Sequence, residues 1–369
     1  MLEFSNDIEP ISCISFSGDE INCIYDIRNG IEKSSFSFDD GSVEFSLKNF
    51  ADTTIDDGIV SLNNVEIQCN LSISRQVKYG IEESPLSLCS LFCLYFDETN
   101  DYMFLLDLIN HVHQLLSFFC YRRNIDLSSI EFKQKVGNKY RACAKFINFK
   151  PQREKDAIKI IKDRYIPYDL VESKLHRILQ DVIDGKIYLK HIPDNYSASK
   201  RITPASFLMT TAAFEGEFSR SYPEGIKKSA EKIQAQTSVR EALETLTLQT
   251  TGMKRKIYKY LIKQINNDSL REKLLLALKD YSEIIEPFGK YSYAINKAEY
   301  CILDISDSIS SQRNAFAHGD LSRPFIRNSS LGIGLLEFLV YAMQLSHYGI
   351  ANNDIQQIIK KLFAINIII

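Results

Sequence analysis

The strongest constraint this sequence places on its fold is a change of hydrophobic period part-way along it. Over the first hundred residues apolar side chains alternate with small or polar ones, the two-residue repeat of half-buried strands. Beyond Pro204 they recur at the 3.6-residue spacing of helices packed by one face. Ile11 to Phe16 is the clearest strand, followed by Ile21 to Tyr25, Val43 to Leu47, Val65 to Ile73 and Leu86 to Phe96. Turn-forming clusters separate them: Ser17-Gly18-Asp19, Asp39-Asp40-Gly41, Asp56-Asp57-Gly58 and Asn63-Asn64. Short strands at this spacing predict an antiparallel sandwich or a barrel-like region. Tyr102 to Tyr121 reads as one prominent helix behind an Asn100 cap, with further strands near Ile130 to Phe132 and Ala142 to Phe149.

Lys150 to Arg164 is strongly charged, Pro167 interrupts it, and Leu170 to Ile183 reads as an amphipathic helix. The stretch from His191 to Pro204, with two prolines and Ser197-Ala198-Ser199, is the best boundary. After it come helical patterns at Ala205 to Arg220, Glu224 to Thr250, Lys254 to Ile265, Leu270 to Ile285, Asn296 to His318 and Gly334 to His347. Pro223, Gly252, Pro287, Gly319 and Gly349 punctuate them. The expectation is an α+β chain of two domains: a β-rich region over 1–150, a helical connector over 151–195, and an all-α bundle over 196–369.

Hydrophobic residues make up 45% of the chain and charged residues 25%, which excludes disordered, collagen-like and coiled-coil classes for most of its length. No run of 18 uninterrupted apolar residues occurs, so no membrane-spanning helix is expected. The start, Met1-Leu2-Glu3-Phe4-Ser5-Asn6-Asp7, lacks the basic and apolar pattern of a signal peptide. Eight scattered cysteines in a chain with room for a large core read as reduced thiols, and the expected location is cytoplasmic. The net charge of −3 conceals a split. Residues 1–121 hold 5 Lys and Arg against 20 Asp and Glu, and residues 122–369 hold 39 against 27. A basic half attracts a polyanion such as RNA, and the two halves can also attract each other. Two differently solvated surfaces explain the split equally well.

The sequence holds no glycine-rich phosphate loop, no HExxH and no GxSxG. His111 and His113 stand about 200° apart on a helix and cannot chelate one metal ion from it. Cys89 and Cys93 fall in a predicted strand and read as core residues. No metal or cofactor is expected.

One constellation stands out: Ser311-Gln312-Arg313-Asn314-Ala315-Phe316-Ala317-His318-Gly319-Asp320, near the end of the fifth C-terminal helix. It resembles the R-N-x-x-x-H signature of HEPN domains, the helical-bundle family that includes many metal-independent endoribonucleases. A β-rich region ahead of such a bundle is similar in layout to the ApeA-type anti-phage defence proteins. The run Phe207-Leu208-Met209-Thr210-Thr211-Ala212-Ala213-Phe214-Glu215-Gly216-Glu217-Phe218 is similar to the first bundle helix of that group, with its acidic position at Glu215. The resemblance implies an endoribonuclease acting in abortive infection, with RNA as substrate (transfer RNA is one such target). It implies a homodimer with a composite cleft and 2′,3′-cyclic phosphate products, while the charge split suggests an acidic region that restrains the basic bundle until a phage-derived protein displaces it.

The residue types suit that chemistry. His318, with an unperturbed pKa of about 6.5, can serve as base or acid near neutrality. Arg313 carries a permanent charge on a planar fork that fits two phosphate oxygens. Asn314 lies four residues before His318, on the same helical face, and can orient substrate or imidazole. Glu215 can reach Arg313 and restrain it, or can be an ordinary surface acid. Five helical residues turn about 500°, so Arg313 and His318 lie about 140° apart. Either the helix ends near His318, as Gly319 permits, or a second chain completes the site. Two structural readings stand beside this one. Arg313 can pair with Asp304 or Asp307 and His318 can be a buried polar group, or the bundle can be a non-catalytic dimerisation or ligand-binding module. Lys227-Lys228 and Lys254-Arg255-Lys256 are candidate phosphate contacts or simply solvated faces.

Overall fold

The strand at Ile11 to Phe16 is buried on both of its faces, which places it at the centre of a sheet and not at a half-solvated edge. In the computed structural model, which describes residues 2–4, 10–36, 43–77, 86–147, 156–265 and 267–367, that sheet has seven strands. In chain order the strands of the region are β1 (Leu2–Phe4), β2 (Ile11–Ser17), β3 (Ile31–Phe36), β4 (Val43–Leu47), β5 (Ile55–Leu62), β6 (Val65–Val77), β7 (Leu86–Thr99), β8 (Ser129–Val136) and β9 (Lys139–Phe146). The sheet order is β1-β9-β8-β2-β7-β6-β5, antiparallel throughout, and β3 and β4 form a separate two-stranded ribbon. The sheet is therefore open, with edges at β1 and β5, and does not close into a barrel. Asn63 and Asn64, both at positive φ, make the two-residue turn between β5 and β6 that their residue types predict.

The β-rich expectation holds, with local corrections. Ile21 to Tyr25 is not a strand: α1 (Asp19–Ile24) occupies it. Ile21, Ile24 and Tyr25 fit helical spacing as well as alternation, and a run this short does not decide between them. What settles it is Glu20, buried in a 2.7 Å ion pair with Arg122 just beyond α2 (Tyr102–Cys120). Asp101, one residue after the expected cap, accepts the Met103 and Phe104 amides at 2.9 and 3.2 Å. Asp56-Asp57-Gly58 is not a turn but part of β5, at a bulge in its pairing with β6. Asp57 points inward, accepting the Tyr168 hydroxyl at 2.8 Å and the His176 amide at 2.6 Å. The expected turn at Asp39-Asp40-Gly41 lies outside the described residues.

The helices that follow are α3 (Ile158–Asp163), α4 (Leu175–Ile183), α5 (Tyr196–Ser199), α6 (Pro204–Ser221), α7 (Ala230–Gln249), α8 (Gly252–Gln264), α9 (Leu270–Asp280), α10 (Ser282–Ile295), α11 (Ile302–Ala317), α12 (Arg327–His347) and α13 (Asn352–Leu362). The expected helix Leu270 to Ile285 breaks at Tyr281, and Pro287 lies inside α10 instead of ending a helix.

The chain divides into one unit of Met1–Ser206 with Gln344–Ile369, and a second of Phe207–Met343. The last helix thus belongs with the β-rich unit, and the helical unit is shorter than 196–369. Lys361 donates to the Tyr165 hydroxyl at 2.8 Å, Arg164 donates to the Phe363 carbonyl at 2.9 Å, and the Tyr348 hydroxyl donates to Asp181 at 2.9 Å. These contacts join residues far apart in sequence, and no local pattern announces them. Two stretches, Tyr102–Cys120 and Asn328–His347, are long and apolar enough to cross a membrane although polar and charged residues interrupt both. They are core helices, 61% and 72% buried within the protein.

Candidate functional site

The site candidates of the helical unit are positioned by the buried stripe of α11. Ile305, Ile309, Gln312 and Phe316 repeat at three- and four-residue intervals and face inward. Gly332 of α12 lets the two helices close up, since a Cβ there would meet the Ile309 side chain at 3.1 Å and Ile305 at 3.3 Å. Gln312 is fully buried, its Oε1 accepting the Ser329 hydroxyl at 3.3 Å and the Ile326 amide at 3.4 Å. Phe316 sets its edge against Phe207 and Phe325, at centroid distances of 5.6 and 5.2 Å. Turning these four inward leaves Arg313 half-buried and Asn314 and His318 exposed.

α11 ends at His318. The His318 amide donates to the Asn314 carbonyl at 3.1 Å, Gly319 to Phe316 at 3.1 Å, and Asp320 to Ala315 at 3.0 Å. With Gly319 at φ +89°, this is a Schellman closure, which satisfies the last carbonyls and fixes where the imidazole leaves the helix. The glycine thus ends the helix at the histidine, the first of the two options its position allows.

Arg313 donates from Nη2 to Glu215 Oε2 at 3.2 Å and from Nη1 to Asn314 Oδ1 at 3.4 Å. Asp307, an alternative partner, pairs instead with Arg271. Glu215 sits on α6 between the buried Phe214 and Phe218, which direct it to the edge of the packed face. Its other oxygen lies 4.0 Å from the Lys273 ammonium, so one carboxylate stands between two cations and local charge remains positive. The fully buried acid of α6 is Glu217, 3.8 Å from Arg220, which no sequence pattern distinguishes from Glu215.

The structure therefore brings together Arg313, Asn314 and Glu215, and adds Lys273. It does not join His318 to them by any side-chain hydrogen bond among the described residues, and Asn314 meets it only through the backbone. Gln312 and the aromatic group of Phe207, Phe316 and Phe325 are the supports that sequence reasoning missed. Their signal was the apolar spacing of α11, which marks Phe316 but not a buried glutamine. Elsewhere, Lys228 of the Lys227-Lys228 pair is engaged by Asp268 at 3.7 Å. His111 and His113 are both half-buried on α2, and Cys93 lies in the core with Cys89 at its margin. Among the described residues, no group of three His, Cys, Asp or Glu side chains is placed to hold a metal ion. Comparison with protein families, with curated proteins and with solved structures finds no match to this chain.

Proposed function

We propose that this chain is a metal-independent endoribonuclease of the HEPN type. The observation that carries the reading is the end of α11, where Arg313, held 3.2 Å from Glu215, and His318, released by the Gly319 cap, both face solvent with reactive groups accessible. In the proposed reaction a base removes the ribose 2′-hydroxyl proton and the oxygen attacks the adjacent phosphorus. Arg313 and Lys273 balance the charge of the pentacoordinate state. An acid protonates the departing 5′-oxygen, leaving a 2′,3′-cyclic phosphate and a 5′-hydroxyl. His318 fills one of the two proton-transfer roles. The resemblance implies a homodimer, in which a second His318 fills the other. By resemblance, the role is abortive-infection defence, with transfer RNA among the substrates; the charge split supports a phage-derived protein that displaces the acidic region from the basic one.

The test is incubation of purified full-length chain with total bacterial RNA in the presence of EDTA, beside a His318→Ala variant of unchanged circular dichroism. Discrete fragments with cyclic-phosphate ends, reduced by about 10²–10⁴-fold in the variant, are expected. Equal cleavage by both proteins, or none by either with phage protection also unchanged by His318→Ala, overturns the reading in favour of a non-catalytic binding module.

A further inference from the structure

Helices α7 and α8 form an antiparallel hairpin with little buried surface: Thr247 is the one buried residue of α7, and α8 has none. α8 carries Lys254, Arg255, Lys256, Lys259 and Lys263 and no acidic residue. Among the described residues none of these five has a carboxylate at ion-pair distance. Five other cations of the same unit, Lys228, Lys232, Arg271, Lys273 and Lys290, are each paired with one.

At 100° per residue, Arg255, Lys259, Lys263 and Lys256 fall within an arc of about 100°, and Tyr260 stands about 40° beyond it. Tyr260 is 62% exposed. The less exposed residues, Tyr258, Ile262 and Ile265, lie on another side, toward α7, whose Gln236 donates to the Ile265 carbonyl at 2.7 Å. One side of α8 is thus committed to the hairpin, while the basic arc and the adjoining stripe of Met253, Ile257 and Leu261 are left in solvent. Four cations on one exposed arc, with no carboxylate beside them, give charge complementarity to a polyanion. The exposed ring of Tyr260 beside the arc favours one with stackable bases.

We infer that Arg255, Lys256, Lys259, Lys263 and Tyr260 bind a single strand of RNA, phosphates on the cations and a base stacked on the tyrosine. The arc runs about 12 Å along the helix, the length of about three or four nucleotides of stacked strand. The choice of RNA as the polyanion rests on the ribonuclease reading above. The hairpin acts as a docking arm that raises the local concentration of substrate.

Fluorescence anisotropy of a labelled 2′-O-methyl oligoribonucleotide, which cannot be cut by 2′-hydroxyl attack, measures binding to the full chain without turnover. The proteins compared are wild type, His318→Ala, Tyr260→Ala, and the combined Arg255→Gln, Lys256→Gln, Lys259→Gln and Lys263→Gln variant. Glutamine keeps helix propensity, so α8 is retained. Four lost phosphate contacts lower the slope of log affinity against log salt by about 3. Tyr260→Ala weakens binding about tenfold, and His318→Ala leaves it unchanged. An unchanged salt slope in the combined variant overturns the inference. So does equal competition by polyglutamate or by anionic vesicles. Unchanged binding by the combined variant, with RNA cleavage abolished by His318→Ala, removes the docking arm and leaves the nuclease. Lost binding in the combined variant, with cleavage indifferent to His318→Ala, does the reverse.

Discussion

Two glycines flank the candidate site, and the structure assigns opposite signs to the same substitution at each. Gly319 sits at φ +89° with nothing within 4 Å of the position a Cβ would take, so Gly319→Ala meets no steric obstacle and its cost is backbone alone. A left-handed conformation disfavours an L side chain by about 1–2 kcal/mol, and the loss of the Schellman closure is the alternative way out. Gly216 lies in the interior of α6, exposed and also with open space around it, but not at positive φ. There alanine removes the conformational freedom of glycine from the unfolded chain, and Gly216→Ala should stabilise by about 0.5–1 kcal/mol. Gly319→Asn, which tolerates the left-handed region, should cost less than alanine.

Thermal unfolding followed by far-UV circular dichroism separates these cases, with about 2–4 °C expected per kcal/mol for a unit of this size. The chain has two units, so the transition to follow is the one that a conservative Phe316→Leu control moves. A neutral Gly319→Ala, or shifts of the same sign at both glycines, would refute the assignment of the cap. On the nuclease reading, Gly319→Ala also lowers RNA cleavage by displacing His318, and Gly319→Asn restores part of it.

Three further outcomes follow from buried and half-buried groups. Phe316, 2% exposed among aromatic rings, should cost about 3–5 kcal/mol as Phe316→Ala and under about 1.5 kcal/mol as Phe316→Leu, read from denaturant midpoints. Glu215 and Arg313 side chains are 31% and 34% exposed, so Glu215→Gln should change stability by no more than about 1 kcal/mol. If the pair positions Arg313 for phosphate, the same variant lowers cleavage while leaving RNA binding by α8 intact. Burial holds the His191 imidazole down to about 4, against about 6.5 in the unfolded chain. Between those values the unfolded chain binds the extra proton, so His191's contribution is complete above about pH 6.5 and is lost as pH falls toward 4, about 3 kcal/mol in all. Urea midpoints across that window should flatten in His191→Phe, and an unaltered slope would remove His191 as the cause.

The parts of this molecule that sequence announces are those decided locally. The Asn63-Asn64 turn is legible because few residues accept two successive left-handed conformations. α9 is legible from Ser269 and Glu272, which form a capping box. The parts it conceals are decided by distant partners. Asp56-Asp57-Gly58 carries the composition of a turn, yet Tyr168 and His176, more than a hundred residues on, satisfy Asp57 and make it a strand position. Likewise α1 depends on Arg122, and the assignment of the last helix to the β-rich unit depends on Tyr165, Arg164 and Asp181. The candidate site contains both kinds of residue. Spacing alone places Arg313 and His318 about 140° apart, and Gly319 ends the helix at His318. Spacing does not reveal that Glu215, 98 residues earlier, holds Arg313. Because that restraint comes from α6 of the same chain, the guanidinium is oriented before any second chain arrives. On the proposed mechanism, dimerisation then has only the imidazoles left to bring together.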